Sequence, residues 1–321
     1  MNTAYLNTIA ANAPDNIPPG FRKAIEPHAI PVSRDITPEE FLQNNVLQRK
    51  PILIKGALKE WKALQWTPEY LKQVAGSKTL CYRTEEGVTQ GNFGELIDLI
   101  FHTDKPAPYL RNIDLGRDLS MLAGDVGPLR YCAGNWRDHF LMPQRWPAEA
   151  RKGLYEVFIS HKNQSFPYLH IDYWGMSAFL AQLYGRKEVI LFPVEDSAYL
   201  YPMETNPLRS SIQEFDNPDY ETFPRFRCAR QYRVVLEPGD LLFNPGWWHT
   251  TRTLTPSITM IWAYWNQHEW GDLLNYVRSR KNLKYRVALF PYLQFVGMCN
   301  QLWPKWVPRK RPVLPVDVSS P

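Results

Sequence analysis

Between residues 154 and 265 the chain reads as short β-rich runs, each closed by a turn, and this pattern limits the fold more than any other feature. The runs are Glu156–Ile159, Phe179–Leu183, Val189–Phe192, Tyr232–Leu236, Leu241–Phe243 and Ile258–Trp262. Pro238-Gly239-Asp240 forms a tight turn between two of them. Closely spaced short strands predict a β-sandwich or barrel. Composition agrees, since 28 prolines and 12 tryptophans against 17 glycines in 321 residues disfavour a long helical bundle.

The flanks have a different character. Residues 1–30 are polar and dotted with proline, which predicts an extended arm. Thr37-Pro38-Glu39-Glu40 carries a helix start: a capping hydroxyl, proline at the first position and acids at the positive end. Thr67-Pro68-Glu69 repeats the device. Lys50–Gly56 contains a short apolar strand, residues 93–101 have helical spacing, and Tyr109-Leu110-Arg111 opens another strand. After Trp265 the pattern turns helical to about Trp303, and prolines from Pro304 to Pro321 end the chain as an extended tail. The expected organisation is an arm (1–30), a domain (31–270), a helical region (271–303) and a Pro-rich basic tail (304–321).

The formal charge of +5 is uneven. From Gly271 onward nine lysines and arginines face only Asp272 and Asp317. Such a segment suits an acidic partner, and it equally suits a solvated helix face; no stacking motif for nucleic acid accompanies it. The apolar residues from Leu274 to Leu302 suit either packing on the domain or a homodimer contact. Cys81, Cys132, Cys228 and Cys299 are too scattered for a disulfide framework or a cysteine zinc site. No secretory signal or membrane-length apolar run is evident, so a reducing cytoplasmic location is expected.

Chemistry concentrates at His170-Ile171-Asp172 and at His249, which follows Pro245-Gly246-Trp247-Trp248. On a strand, residues i and i+2 share a side, so His170 and Asp172 would converge. Two histidines and one carboxylate on three corners of a metal leave three positions open, the arrangement used for Fe(II) and O₂ chemistry. An H-x-D triplet alone also occurs as ordinary packed residues. Lys187 begins a run in which Val189 and Leu191 share its face. A lysine there needs an anion if it turns inward, and periodicity leaves open whether Lys187 or Glu188 does so.

His170–Asp172, Phe179–Pro193, Phe215-Asp216-Asn217-Pro218-Asp219-Tyr220-Glu221 and Glu237-Pro238-Gly239-Asp240 through His249 together resemble the JmjC or cupin-like 2-oxoglutarate dioxygenases. The asparaginyl-hydroxylase subgroup that acts on hypoxia-inducible factor is the nearest in appearance. The resemblance covers about residues 30–270. It implies a mainly β fold with flanking helices, a double-stranded β-helix (jelly-roll or cupin) core and a C-terminal helical segment. It also implies Fe(II) on His170, Asp172 and His249, with 2-oxoglutarate and O₂ as co-substrates. Lys187 and Tyr109 would hold the distal carboxylate of 2-oxoglutarate, and Trp265 matches an aromatic beside the site.

There are departures. The usual hydroxyl before the Pro-x-His-x-Asp run is displaced to Ser165, an asparagine that often lines the pocket is replaced at Ala263, and Tyr173-Trp174-Gly175-Met176 lengthens the segment after Asp172. The expected activity is hydroxylation of a C–H bond on a protein or peptide side chain, with Arg111, Trp174, Arg252 and Trp265 as groove residues. A small-metabolite hydroxylase and a non-catalytic binding module with a basic C-terminal segment are the alternatives.

Overall fold

The computed structural model describes residues 27–84, 87–132, 135–138, 141–142 and 155–302. The expected tail and nearly all of the expected arm lie outside these residues.

Fifteen strands occur among the described residues: β1 (His28–Ala29), β2 (Val32–Ser33), β3 (Ile52–Ile54), β4 (Thr79–Arg83), β5 (Val88–Asn92), β6 (Leu110–Asp114), β7 (Glu156–Ser160), β8 (Ser177–Tyr184), β9 (Lys187–Phe192), β10 (Pro202–Met203), β11 (Asn206–Ser210), β12 (Tyr232–Leu236), β13 (Leu241–Asn244), β14 (Trp248–Thr253) and β15 (Ser257–Tyr264). A large sheet has the order β2-β3-β13-β8-β15-β7-β6, and a small one the order β1-β12-β9-β14. From β8 to β15 the long strands swap sheets: β8 large, β9 and β12 small, β13 large, β14 small, β15 large. That winding is a jelly roll, and it leaves a space between the two sheets.

Alternation along each strand decides what fills that space. Phe179, Ala181, Phe243, Met260 and Trp262 face outward from the large sheet. They pack on Phe41, Trp61, Trp66, Phe93 and Ile97 from the preceding segments. Leu53, Ala178, Leu180 and Leu242 face the other way and pack with Val189, Leu191 and Leu236 of the small sheet. The space is plugged at one end by Gln182 of β8. Its amide accepts from the Thr259 hydroxyl at 2.8 Å and donates to the Tyr184 carbonyl at 2.7 Å.

The flanking helices begin where the capping signals stand. Thr37 and Glu40 form a reciprocal capping box on the helix Pro38–Phe41, and Thr67 caps Pro68–Ala75. A second capping box, Asn266 with Glu269, starts the helix Gln267–Ser279, just after Trp265, where the pattern was expected to turn helical. Glu269 also accepts a hydrogen bond from Ser177 at the start of β8, which ties this helix to the barrel. A further helix, Phe290–Leu302, packs on it through Leu293 and Val296, with Leu289 from the turn before it, around Trp265 and Trp270. Leu283, Val287, Phe295, Met298 and Leu302 of this C-terminal part stay exposed. No helix among the described residues is long and apolar enough to cross a membrane.

Candidate metal centre and its anion pocket

His249 is the second residue of β14, where the sequence suggested a rim position after a strand. His170 and Asp172 lie in extended backbone between β7 and β8, where the sequence suggested a regular strand. The pairing is nevertheless strand-like. His170 and His249 exchange both backbone hydrogen bonds, at 3.0 and 2.7 Å. Directly opposed residues of an antiparallel pair present side chains on one face. The imidazole centroids are accordingly 4.2 Å apart.

Each imidazole is held at Nδ1 by the carbonyl two residues earlier. His170 contacts Tyr168 O at 3.3 Å and His249 contacts Trp247 O at 3.0 Å. Asn244 steadies the turn that carries this carbonyl, its amide donating to Trp247 O and accepting from Trp247 N, and the carbonyl contact sets the proton on His249 Nδ1. Nε2 is thereby left to ligate, the arrangement by which outer partners orient metal-binding histidines. His170 Nε2 lies 3.7 Å from Asp172 Oδ1, and the ligand atoms of His170, Asp172 and His249 all fall within 4.8 Å of one another.

The electrostatics favour a cation. Burial, then the neighbouring His249, holds the His170 imidazole well below its ordinary range. Burial raises the Asp172 carboxyl even though its rim stays 31% exposed. Both shifts disfavour the charged forms, and a bound divalent ion would reverse the environment of each group. A two-histidine, one-carboxylate set with an open side fits Fe(II), and the same donors accept other divalent ions.

A second cluster lies along β9 and β14. The register pairs Leu191 with His249, Val189 with Thr251 and Lys187 with Thr253. All six therefore share the inner face, which settles the alternation in favour of Lys187 pointing inward. Lys187 is 1% exposed, and no carboxylate among the described residues pairs with it. Burial alone drops its pKa to about 7. Its Nζ lies 5.7 Å from the centre of the Tyr109 ring. The Tyr109 hydroxyl hydrogen-bonds Thr251, and burial pushes its pKa up to about 12. A buried lysine without an anion, beside a neutral phenol, is a cradle for a carboxylate. Lys187 and Leu191 are four residues apart, about 13 Å along the strand.

The remaining expected residues divide. Arg111 lies 5.5 Å from the Phe166 ring, and Phe166 stacks on His170 at 4.5 Å, so Arg111 belongs to the site's wall. Trp174 sits in the turn Tyr173–Gly175 that follows Asp172. Trp265 is fully buried, with its indole N–H on Met176 Sδ at 3.0 Å; it backs the site and cannot line a groove. Arg252 alternates to the outer face of β14 and pairs with Glu188 and Asp216, on a cleft that Phe166 and Tyr168 also line. Ala263 is half-buried on β15. Sequence reasoning missed Thr251, which the i, i+2 rule applied from His249 would have found. It also missed Asn244, whose placement beside His249 depends on the turn between β13 and β14.

A model of the cupin-like domain family matches residues 38–270. Among curated proteins the chain is 26% identical to lysine-specific demethylase 8 of Xenopus tropicalis, over 74% of this chain and 52% of that protein. It is 30% identical to human tRNA wybutosine-synthesizing protein 5, over 68% and 72% respectively. It is 28% identical to the HSPB1-associated protein 1 homolog of Danio rerio, over 75% and 57%. The chain thus spans about half the length of the demethylase relative.

Proposed function

Because the chain belongs to the cupin-like, JmjC-type family of iron- and 2-oxoglutarate-dependent oxygenases, we propose that it hydroxylates a C–H bond on a protein or peptide side chain. The observation that carries the enzymatic reading is Lys187, a buried cation without a carboxylate partner among the described residues, on the same sheet face as His249. A fold kept only for binding has no use for an uncompensated charge in its core.

Fe(II), held by His170, Asp172 and His249, would supply the activation of O₂ coupled to decarboxylation of 2-oxoglutarate. The chain's own residues do the rest. Lys187 donates a charge-assisted hydrogen bond to the distal carboxylate, and Tyr109 donates from a phenol that stays protonated. Thr251 holds the Tyr109 hydroxyl in place. Tyr168 O and Trp247 O fix the two imidazoles so that Nε2 of each faces the metal. Phe166 covers the outer face of His170 and excludes water from it. No side chain needs to act as a general base.

The exposed side supports a substrate presented from outside. Tyr173, next to Asp172, is 68% exposed, and the Asp172 rim is open. A side chain projecting from a partner protein can reach such a shallow mouth. The test is succinate formation from 2-oxoglutarate with Fe(II), followed by a mass-spectrometric screen of peptides for the gain of one oxygen. His170→Ala and His249→Ala should abolish turnover. Turnover that survives both substitutions would remove the assignment.

A further inference from the structure

The anion pocket draws its groups from both sheets. Lys187 and Thr253 oppose each other on β9 and β14 of the small sheet. Tyr109 stands just ahead of β6, the edge strand of the large sheet, whose pairing with β7 begins at Leu110. Tyr109 therefore enters the pocket from a connecting segment. Its hydroxyl is held by Thr251. Its backbone needs a separate hold, because a shift at its Cα is carried along the whole side chain to the hydroxyl.

Gln164 supplies that hold. Its backbone is fastened to Thr253, the residue opposite Lys187. The Gln164 N–H donates to the Thr253 hydroxyl at 3.0 Å, and the Gln164 carbonyl accepts from the Thr253 N–H at 2.8 Å. Its side chain reaches the other element. The amide nitrogen donates to the Ala107 carbonyl at 2.6 Å, and the amide oxygen accepts from the His161 N–H at 2.8 Å. One partner is an acceptor and the other a donor, so the amide has a single orientation. Ala107 precedes Pro108, which fixes its own φ and confines the residue before it to extended backbone. The anchor at Ala107 is thus passed through a stiff unit to Tyr109. Two other links join the same loop to the same turn: His161 Nε2 meets the Thr103 carbonyl at 2.9 Å, and Lys162 pairs with Asp104 at 2.7 Å. Both lie farther from Tyr109 along the chain, and the second is an exposed ion pair of little weight.

We propose that Gln164 is a positioning residue for the co-substrate. It ties the segment that bears Tyr109 to the strand residue opposite Lys187, and so sets the spacing of the phenol and the ammonium that together take the distal carboxylate. The proposal rests on the oxygenase reading and adds a residue that acts through Tyr109.

The test uses the full chain loaded with Mn(II) without oxygen, and reads 2-oxoglutarate binding by water-proton relaxation. Gln164→Leu keeps the bulk of the side chain and removes both of its hydrogen bonds. It should weaken 2-oxoglutarate about fivefold, the worth of one hydrogen bond. Gln164→Glu keeps the acceptor for His161 and sets an oxygen against the Ala107 carbonyl, so it should weaken binding at least as much. The affinity for Mn(II) itself should stay within about twofold in both variants. In a Tyr109→Phe background either substitution should change 2-oxoglutarate affinity by less than about twofold, because the group that Gln164 positions has gone. Thermal unfolding checks that the variants are folded, and Gln164→Glu carries the same comparison should Gln164→Leu not fold. The proposal is overturned if both variants bind 2-oxoglutarate as the unaltered chain does, or if Mn(II) affinity falls as far as 2-oxoglutarate affinity. It is also overturned if the loss is as large in the Tyr109→Phe background, which would make Gln164 a structural residue only. Failure of the oxygenase reading shows without any variant, as an unaltered protein whose Mn(II) signal does not respond to 2-oxoglutarate, and it takes the proposal with it.

Discussion

Lys187 shows how one residue trades stability for a site. Its pKa near 7 lies far below the value of about 10.4 expected in the unfolded chain. Between those values the unfolded chain holds a proton that the folded chain has lost, so stability rises with pH across that window. Below pH 7 the full penalty of a buried charge applies. Lys187→Met should therefore stabilise the fold by about 1–4 kcal/mol at pH 6, with a smaller gain near pH 10, as measured by denaturant unfolding. A loss of stability at pH 6 would mean that the ammonium already has a partner. The same titration governs the co-substrate. A carboxylate in the pocket restores the protonated lysine, so binding takes up a proton once the free lysine begins to lose it. The dissociation constant of 2-oxoglutarate should be flat below pH 7 and climb by up to about tenfold per pH unit above it. Calorimetry in buffers of different ionisation enthalpy reads the proton uptake directly.

At the scale of elements, the site depends on two turns that touch. Gly246, with φ +75°, lies in the turn before β14, and Gly175, with φ +60°, closes the turn after Asp172. A methyl group on Gly246 would overlap the Gly175 carbonyl. Both the left-handed φ and the contact oppose Gly246→Ala, at a cost of about 1–3 kcal/mol. The displacement would part the His249 strand from the Asp172 turn. Binding of Co(II) should weaken by at least about tenfold in Gly246→Ala, while the far-ultraviolet circular dichroism stays that of a β fold; unchanged affinity would show that the turns move independently. Much at this scale was legible in the chain. The six strand runs, the Thr37 and Thr67 caps and the late helices could be read from period and punctuation, because those signals are local. His170 could be read only as a same-side partner of Asp172, since its pairing is a bridge between distant segments. Alternation from His249 marks Arg252 for the opposite face of β14, whereas Trp265 carried no local mark of its direction. Packing against the helix Gln267–Ser279 decided where Trp265 points.

For the whole molecule, the ligands come from segments separated in the chain, and a metal joining them acts as a clamp. His170 and Asp172 belong to the connection between β7 and β8, which lie in the large sheet, while His249 belongs to the small sheet. An ion that binds only the folded chain adds about 2.7 kcal/mol when present at a hundred times its dissociation constant. Mn(II) should raise the unfolding temperature, a chelator should reverse the rise, and His249→Ala should show neither effect. The C-terminal surface raises a second question at this scale. Leu283, Val287, Phe295, Met298 and Leu302 are each between 48% and 65% exposed, more apolar exposure than a helical pair buried on its own domain requires. The sequence left two expectations open for this region, packing on its own domain and a homodimer contact, and the exposed row is what the second requires. On that expectation the unaltered chain sediments as a dimer, and Leu283→Glu combined with Val287→Glu yields a folded monomer, because each dimer would otherwise bury four unpaired carboxylates. A monomeric unaltered chain, or a double variant of unchanged mass, would assign this face to something other than a second copy.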